Sequence, residues 1–287
     1  MTTRRGFLAQ AGLMTAGALI APEFLSAKGK AVAGLQLYTL REQLPKDVKG
    51  VIAKVAAAGY KEVETFGYSK ENGFWGLSAP EFSKLLKSHG LTSPSGHYGV
   101  NALFENGSLS EIDDAIEAAK ALGQTYVVVP YIDQKFRGDL DNIVQKVNLA
   151  AQHVKKAGLK LGYHNHDFEF KEDGGKMLYT ALLKGTTAAS VTLEMDLYWV
   201  VRAGQDPIEW MTKYPGRFRL VHVKDMDKAD RTLNTEVGSG SIDYKKIIAK
   251  ARKSGVDHFI VEQENFKIDP YVSIAQSARY LKTKLLA

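Results

Sequence analysis

The chain has 287 residues, 45% of them hydrophobic and 24% charged, with a formal net charge of +6. This is ordinary globular composition, with room for one large domain or two small ones. There is no cysteine, which excludes a soft thiolate metal site, and the basic residues (Lys155-Lys156, Lys245-Lys246, Arg252-Lys253) are scattered among acids without interleaved aromatics, which argues against nucleic-acid binding.

The first residues read as an address rather than as part of the fold. Thr3-Arg4-Arg5-Gly6-Phe7-Leu8 precedes an apolar run from Ala9 to Ala21, and Leu25-Ser26-Ala27 resembles a signal peptidase site, although Leu25 is not the usual small residue. A positive end, an apolar centre and a small-residue exit describe an export signal over residues 1–27. The paired arginines resemble a twin-arginine leader, used by proteins that fold before crossing the membrane, often with a cofactor already bound. The apolar run is about 13 residues, too short for the ~20 that span a bilayer, so no stable membrane insertion is expected. Loss of the leader takes the net charge to about +5. The expected destination is the periplasm.

From residue 31 onwards short apolar runs alternate with segments of helical period. The predicted strands are Ala33–Tyr38, Glu62–Thr65, Thr92–His97, Tyr126–Pro130, Lys160–His166, Val191–Asp196, Phe218–Lys224 and His258–Glu262. Between them run the helical stripes Val48, Val51, Ile52, Val55; Ile112, Ile116, Ala119; and Ile143, Val147, Ala151. Gly59, Gly90, Gly123, Gly158 and Gly255 each close a helical segment just before a strand. Eight βα units predict an α/β fold, a single-domain (β/α)8 TIM barrel over residues 31–287. A doubly wound sheet is the alternative, but no glycine-rich nucleotide fingerprint follows the first strand; Gly238-Ser239-Gly240 lacks a third glycine and reads as a turn.

Four of the seven histidines fall at ends of predicted strands: His97, His164, His166 and His222. Period-two alternation puts His164 with His166, Glu194 with Asp196, His222 with Lys224, and Glu262 with Glu264 on common faces. In a barrel these strand ends converge on one mouth, where paired polar residues are costly unless they satisfy each other or a metal. Mixed imidazole and carboxylate donors suit one divalent ion: Mn, Co, Zn, Fe or Mg. His166 is a candidate general acid or base, because an unperturbed imidazole titrates near neutrality. Gln36, Tyr38, Glu64 and His97 from the early strands are expected to line the substrate side. Trp199 and Tyr131 are candidates for stacking on a ring, with burial in the core as the competing reading. Glu264 either orients His166 or caps a loop, and Glu169 is a candidate carboxylate behind the site.

The segments GLQLYTLRE, GYKEVETFG, YHNHDFEF, EMDLYWV, VHVKDMD and VEQE resemble the xylose isomerase-like TIM-barrel superfamily of sugar isomerases, ketose 3-epimerases, inosose dehydratases and endonuclease IV enzymes. The resemblance spans the chain beyond the leader. It implies one metal held by residues on strands five to eight, and Asp196, His222 and Glu262 match the last three. At strand five the epimerases carry Glu and this chain carries His164, as in the inosose dehydratase and 3-keto-glycoside lyase branch. That loss removes the symmetrical carboxylate pair an epimerase uses on opposite faces of one carbon. The set suits enolisation of a ketone on a metal, followed by loss of a β-leaving group. His164 is either a ligand or the base. Lys224 either stabilises the enediolate or neutralises Glu194, and Glu194 and Glu262 join His166 and Lys224 as catalytic candidates.

The expected activity is thus a metal-dependent isomerase or carbon–oxygen lyase acting on a keto-sugar, keto-glycoside or keto-inositol. The alternatives are a ketose 3-epimerase or aldose–ketose isomerase of the same superfamily and, from another class, a non-catalytic periplasmic sugar-binding protein. The endonuclease branch is disfavoured by export and by the lack of a basic groove, and a phosphosugar isomerase by the lack of a phosphate-binding glycine loop. Pairing into a homodimer is in keeping with the group.

Overall fold

The computed structural model describes residues 31–287; the leader expected over residues 1–27 lies outside the described residues. Eight parallel strands form the barrel: β1 (Ala33–Gln36), β2 (Glu62–Thr65), β3 (Thr92–His97), β4 (Tyr126–Val129), β5 (Lys160–His164), β6 (Val191–Asp196), β7 (Phe218–Val223) and β8 (His258–Val261). They close in sequence order, with β8 pairing β1. Every residue of β4 and β6 is buried, as expected of strands covered on both faces.

The helices outside the barrel follow from the predicted stripes. α1 (Val48–Ala57) buries Val51, Ile52 and Val55 and leaves Val48 half-buried. α2 (Ala79–Ser88) opens on a capping box, Ser78 with Glu81. α3 (Asn101–Asn106) is short, and α4 (Ser110–Leu122) buries Ile112 and Ala119. α5 (Leu140–Lys156) buries Ile143, Val147 and Ala151 and is capped by Asp139, and α6 (Leu178–Gly185) buries Tyr179 and Leu182. Gly59, Gly90, Gly123, Gly158 and Gly255 all have positive φ, 66–97°, which a side chain at these positions would strain. Tyr126, Val128, Leu220 and Ile260 form a small separate cluster. Alternation puts Leu220 and Ile260 on the faces of His222 and Glu262, so this cluster fills the barrel beneath the polar residues.

Five strands end earlier than the sequence pattern predicts. The first stops at Gln36, whose side chain accepts from the Tyr38 backbone N–H and turns the chain into a 3-10 turn over Leu37–Leu40. Pro130 lies beyond β4, His166 beyond β5, Lys224 beyond β7 and Glu262 beyond β8. Local alternation cannot register where a ladder stops, because the neighbouring strand decides that. Among the described residues no helix is long and apolar enough to cross a membrane.

Candidate active site

The strand ends bring the polar residues together in two layers that share His222. In the deeper layer Glu64 accepts hydrogen bonds at 2.7 Å from Gln36 Nε2 and at 2.7 Å from His222 Nε2. His97 Nε2 bridges Glu64 and Glu194 at 3.1 and 2.7 Å. Gln36, Glu64 and Glu194 are fully buried. In the outer layer the donors of His164, Asp196, His222 and Glu262 all lie within 4.8 Å of one another. The ladder sets this spacing: His164 is in register with Glu194 on β6, and Asp196 with His222 on β7.

Tautomers are set by hydrogen bonds on the far side of each ring. His164 Nδ1 lies 3.3 Å from the Pro130 carbonyl and donates to it, which leaves the Nε2 lone pair facing the outer set. His222 Nε2 donates to Glu64, which leaves Nδ1 facing Glu262 at 3.3 Å and Asp196 at 3.8 Å. A carboxylate or carbonyl behind a ligating imidazole is the usual support of a metal site. His164 Nε2 and Asp196 Oδ2 are buried and make no hydrogen bond within the protein. Buried polar atoms rarely stay unpaired, so two such atoms 3.5 Å apart fit a shared cation. Two imidazoles and two carboxylates without sulfur favour a divalent ion of the borderline or hard type.

Asp196 also caps α7 (Leu197–Arg202), its Oδ1 accepting from the Trp199 backbone N–H at 2.9 Å. Asn165, which the sequence pattern does not single out, ties β5 to β6 by accepting from the Asp196 backbone N–H at 3.2 Å. Its position between two candidate histidines was the only available signal. Lys224 is fully buried; its ammonium contacts Glu262 at 3.0 Å and Asp196 at 3.9 Å and pairs with Glu264. These, rather than Glu194, are its carboxylate partners. Asp225, the last residue of the His-x-Lys-Asp run, accepts from the backbone N–H groups of Met226, Gly238, Gly240 and Ile242 and organises the loop after β7.

Electrostatics separate the titratable groups. Burial raises the Glu262 carboxyl, but Lys224 and then His222 outweigh it and hold Glu262 well below its ordinary range. Burial first, then competition with the adjacent His164 for a proton and the Lys224 charge, push His166 down to about 2, so its imidazole is neutral. His97 runs the other way: burial opposes its charge, but Glu64 and Glu194 raise it to about 9. Burial and the nearby Glu64 charge lift Glu194 to about 7.

A cavity of about 440 Å³ opens above the outer layer. Tyr38, His97, His164, His166, Trp199, Glu262 and Glu264 line it, as does Tyr131. Gln36 and Glu64, expected to line it, lie beneath the floor instead: alternation points them inward, but their position along the strand puts them one layer too deep. Phe66, Gly67, Gly99 and Pro130 also line the cavity and were not anticipated. Phe66 and Pro130 each directly follow a strand, which is the signal that would have found them. His166 packs against Tyr131 and Trp199, each at 5.3 Å between ring centroids.

Glu169 anchors His166 from behind, accepting from its backbone N–H at 2.8 Å and from the Tyr163 hydroxyl at 3.0 Å. Burial raises this carboxyl from 4.5 to about 8. An acid with a raised folded pKa favours the fold most fully below its unfolded pKa, and that stability is lost as pH climbs through the folded value. Wild-type stability therefore falls between about pH 4.5 and 8, a change Glu169→Gln lacks. Urea unfolding is expected to show the variant gaining on wild type by on the order of 1–3 kcal/mol between pH 5 and pH 9. An equal gap at both pH values would contradict this.

A closed parallel barrel with polar side chains gathered at the C-terminal ends of its strands is the architecture in which TIM-barrel enzymes place their active sites. A family model described as Xylose isomerase-like TIM barrel matches residues 52–284, and the chain belongs to that family. A sugar phosphate isomerase/epimerase from Parabacteroides distasonis is 30% identical, over 91% of this chain and 96% of that one, with a TM-score of 0.78. A D-allulose 3-epimerase from Methylomonas sp. shares the fold, with a TM-score of 0.69 at 14% identity over 89% of this chain and 98% of that one. Inosose dehydratase from Lacticaseibacillus casei is 25% identical over 147 residues, 45% of this chain and 49% of that protein. The chain thus spans about half the length of the curated relatives it matches.

Proposed function

We infer that the protein is a divalent-metal-dependent enzyme that removes the proton α to the ketone of a keto-sugar, keto-glycoside or keto-inositol and then eliminates a β-leaving group, or returns the proton as an isomerase does. The observation that carries this reading is the unpaired, buried His164 Nε2 and Asp196 Oδ2 in a four-donor set at the foot of a cavity. His164, Asp196, His222 and Glu262 would hold the ion, which supplies Lewis acidity toward the ketone oxygen when bound. His166 takes the α proton: it lines the cavity, and its Nδ1 is buried without a hydrogen-bond partner. Charged His97, on the cavity lining, puts positive charge near the oxygen that gains electron density, while buried Lys224 acts from behind through Glu262 and Glu264. Trp199 and Tyr131 flank His166 and keep water from it. An imidazole at position 164 favours elimination over epimerisation, because only one face of the reacting carbon then has a carboxylate ligand beside it.

The test is solvent-proton exchange in D2O by the Mn²⁺-loaded protein, offered a ketohexose, a 3-keto-glucoside and an inosose. Deuterium is expected at the carbon α to the ketone of at least one, and EDTA is expected to abolish it. No exchange with any of the three defeats the reading. Residues 1–27 are proposed to direct export to the periplasm. A reporter carrying them is expected to be exported, and the pair Arg4→Lys, Arg5→Lys to retain it; export by the double variant would exclude the twin-arginine route.

A further inference from the structure

We propose that the outer part of the cavity is a ring-stacking subsite walled by Tyr38 and Tyr131, and that the substrate is an uncharged sugar carrying a second ring, a glycoside rather than a phosphorylated sugar. The identity of the reacting ring rests on the carbonyl chemistry above; the outer ring is argued from the cavity alone.

The cavity, about 440 Å³, falls among the sites of roughly 300–1,000 Å³ that enclose drug-sized ligands and exceeds what one six-membered ring fills. Tyr38 and Tyr131 are the two aromatic side chains among the exposed large hydrophobics of the described residues, 39% and 44% exposed, and both line this cavity. Exposed aromatic surface gathered at a cavity mouth marks a binding surface rather than core.

Both rings are held in place. Tyr38 meets Phe66 edge-on at 5.1 Å, and Phe66 meets Trp75 at 5.2 Å. Trp75 has φ of 50°, a left-handed conformation that a bulky side chain rarely adopts, so the wall is supported at a cost to the backbone. Tyr131 lies edge-on to His166 at 5.3 Å and Phe168 at 5.6 Å. The same cavity reaches from these two tyrosines to His164 and Glu262, so one ligand can occupy both parts.

The charges argue against phosphate. Among the described residues no Lys or Arg lines the cavity, while Glu262 and Glu264 do. The three arginines near the mouth are committed elsewhere. Arg41 stands over Tyr38 at 4.7 Å and donates to the Glu264 carbonyl at 3.0 Å. Arg137 stands over Phe168 at 3.2 Å and Tyr131 at 4.7 Å, donates Nε to the Ile132 carbonyl, and keeps its unbonded Nη2 buried. Arg202 stands over Trp199 at 4.9 Å and donates to the Tyr198 hydroxyl. The helix α7, which starts at Asp196, already has that carboxylate accepting from its Trp199 N–H. In the outer part of the cavity a phosphate would meet the Glu264 carboxylate and, among the described residues, no lysine or arginine on the lining to pair with it.

The test separates this subsite from the chemistry. Calorimetry on the Mn²⁺-loaded protein compares glucose, glucose 6-phosphate and three neutral disaccharides of different linkage: maltose, cellobiose and trehalose. At least one disaccharide is expected to bind about tenfold tighter than glucose, and the phosphate ester no tighter than glucose. Tyr38→Ala and Tyr131→Ala are each expected to lose most of that tenfold gain on the disaccharide and to lose less than about threefold on glucose. Three disaccharides that bind no better than glucose overturn the subsite, and so does a glucose 6-phosphate that binds tighter than glucose. Disaccharide binding that depends on Tyr131, in a protein that exchanges no α proton, sustains the subsite and defeats only the carbonyl reading.

Discussion

Replacing Asp196 by Asn is expected to strip the protein of its divalent ion while leaving it folded. Asn retains an oxygen to accept from the Trp199 backbone N–H, so the cap on α7 survives, but the charge that faces His164 Nε2 and His222 Nδ1 is gone. Elemental analysis should find about one divalent ion per wild-type chain and less than a tenth of that in the variant, with affinity down by more than ~100-fold. The informative partner is Glu64→Gln. Glu64 touches His222 from behind rather than facing the outer set, so its loss should cost only about 10–100-fold in affinity. The deeper group of Glu64, His97, Glu194 and His222 also brings its donors within 4.8 Å of one another. That group also keeps Glu64 Oε1 and Glu194 Oε1 buried without partners, but the His97 nitrogen already lies between both carboxylates and, raised to about 9, carries a proton that offsets part of their charge. The outer set has no such internal balance at His164 Nε2. If Glu64→Gln lost the ion and Asp196→Asn kept it, the ion would belong to the deeper layer and the proposed chemistry would have no Lewis acid at the cavity floor.

The second large effect concerns Lys224, a buried ammonium held among three carboxylates, Asp196, Glu262 and Glu264. Removing one partner from a buried charge network leaves the others uncompensated, which costs about 3–5 kcal/mol. For Lys224→Met in metal-free protein this corresponds to a melting temperature lower by roughly 6–20 °C. A bound divalent ion beside Asp196 and Glu262 replaces much of the missing charge. The loss is therefore expected to be largest in EDTA and to shrink when Mn²⁺ is added. Thermal unfolding of wild type and variant in both conditions checks this. An identical loss in both would mean that Lys224 and the ion do not share those carboxylates.

The barrel was legible because its signals are local. Strands buried on both faces read as apolar runs, and the helix-ending glycines at Gly59, Gly90, Gly123, Gly158 and Gly255 have the positive φ that their pattern implies. Three strands, β2, β3 and β6, run between the residues expected of them. The histidine and carboxylate pairs were legible because period-two alternation puts them on one face, and the barrel does gather His164, Asp196, His222 and Glu262.

Depth and exposure were not legible. Alternation distinguishes inside from outside but not floor from mouth, and so it predicts Gln36 and Glu64 as cavity walls when they lie below the cavity. The irregular registers beside Glu64 on β2 and Glu194 on β6 belong to pairings between strands that no single strand encodes. The partners of Lys224 were open for the same reason: Glu262 and Glu264 reach it across 38 and 40 residues of chain. By itself, then, the sequence determined the repeating βα units, the barrel they imply and the side chains that face its interior, since those follow from neighbours two to four residues apart. The tertiary structure alone decided which of those side chains share an ion, which lie beneath the cavity and which aromatic rings, Tyr38 and Tyr131 among them, stay exposed at its mouth. Those depend on closure and stagger of the barrel, which are properties of all eight strands together.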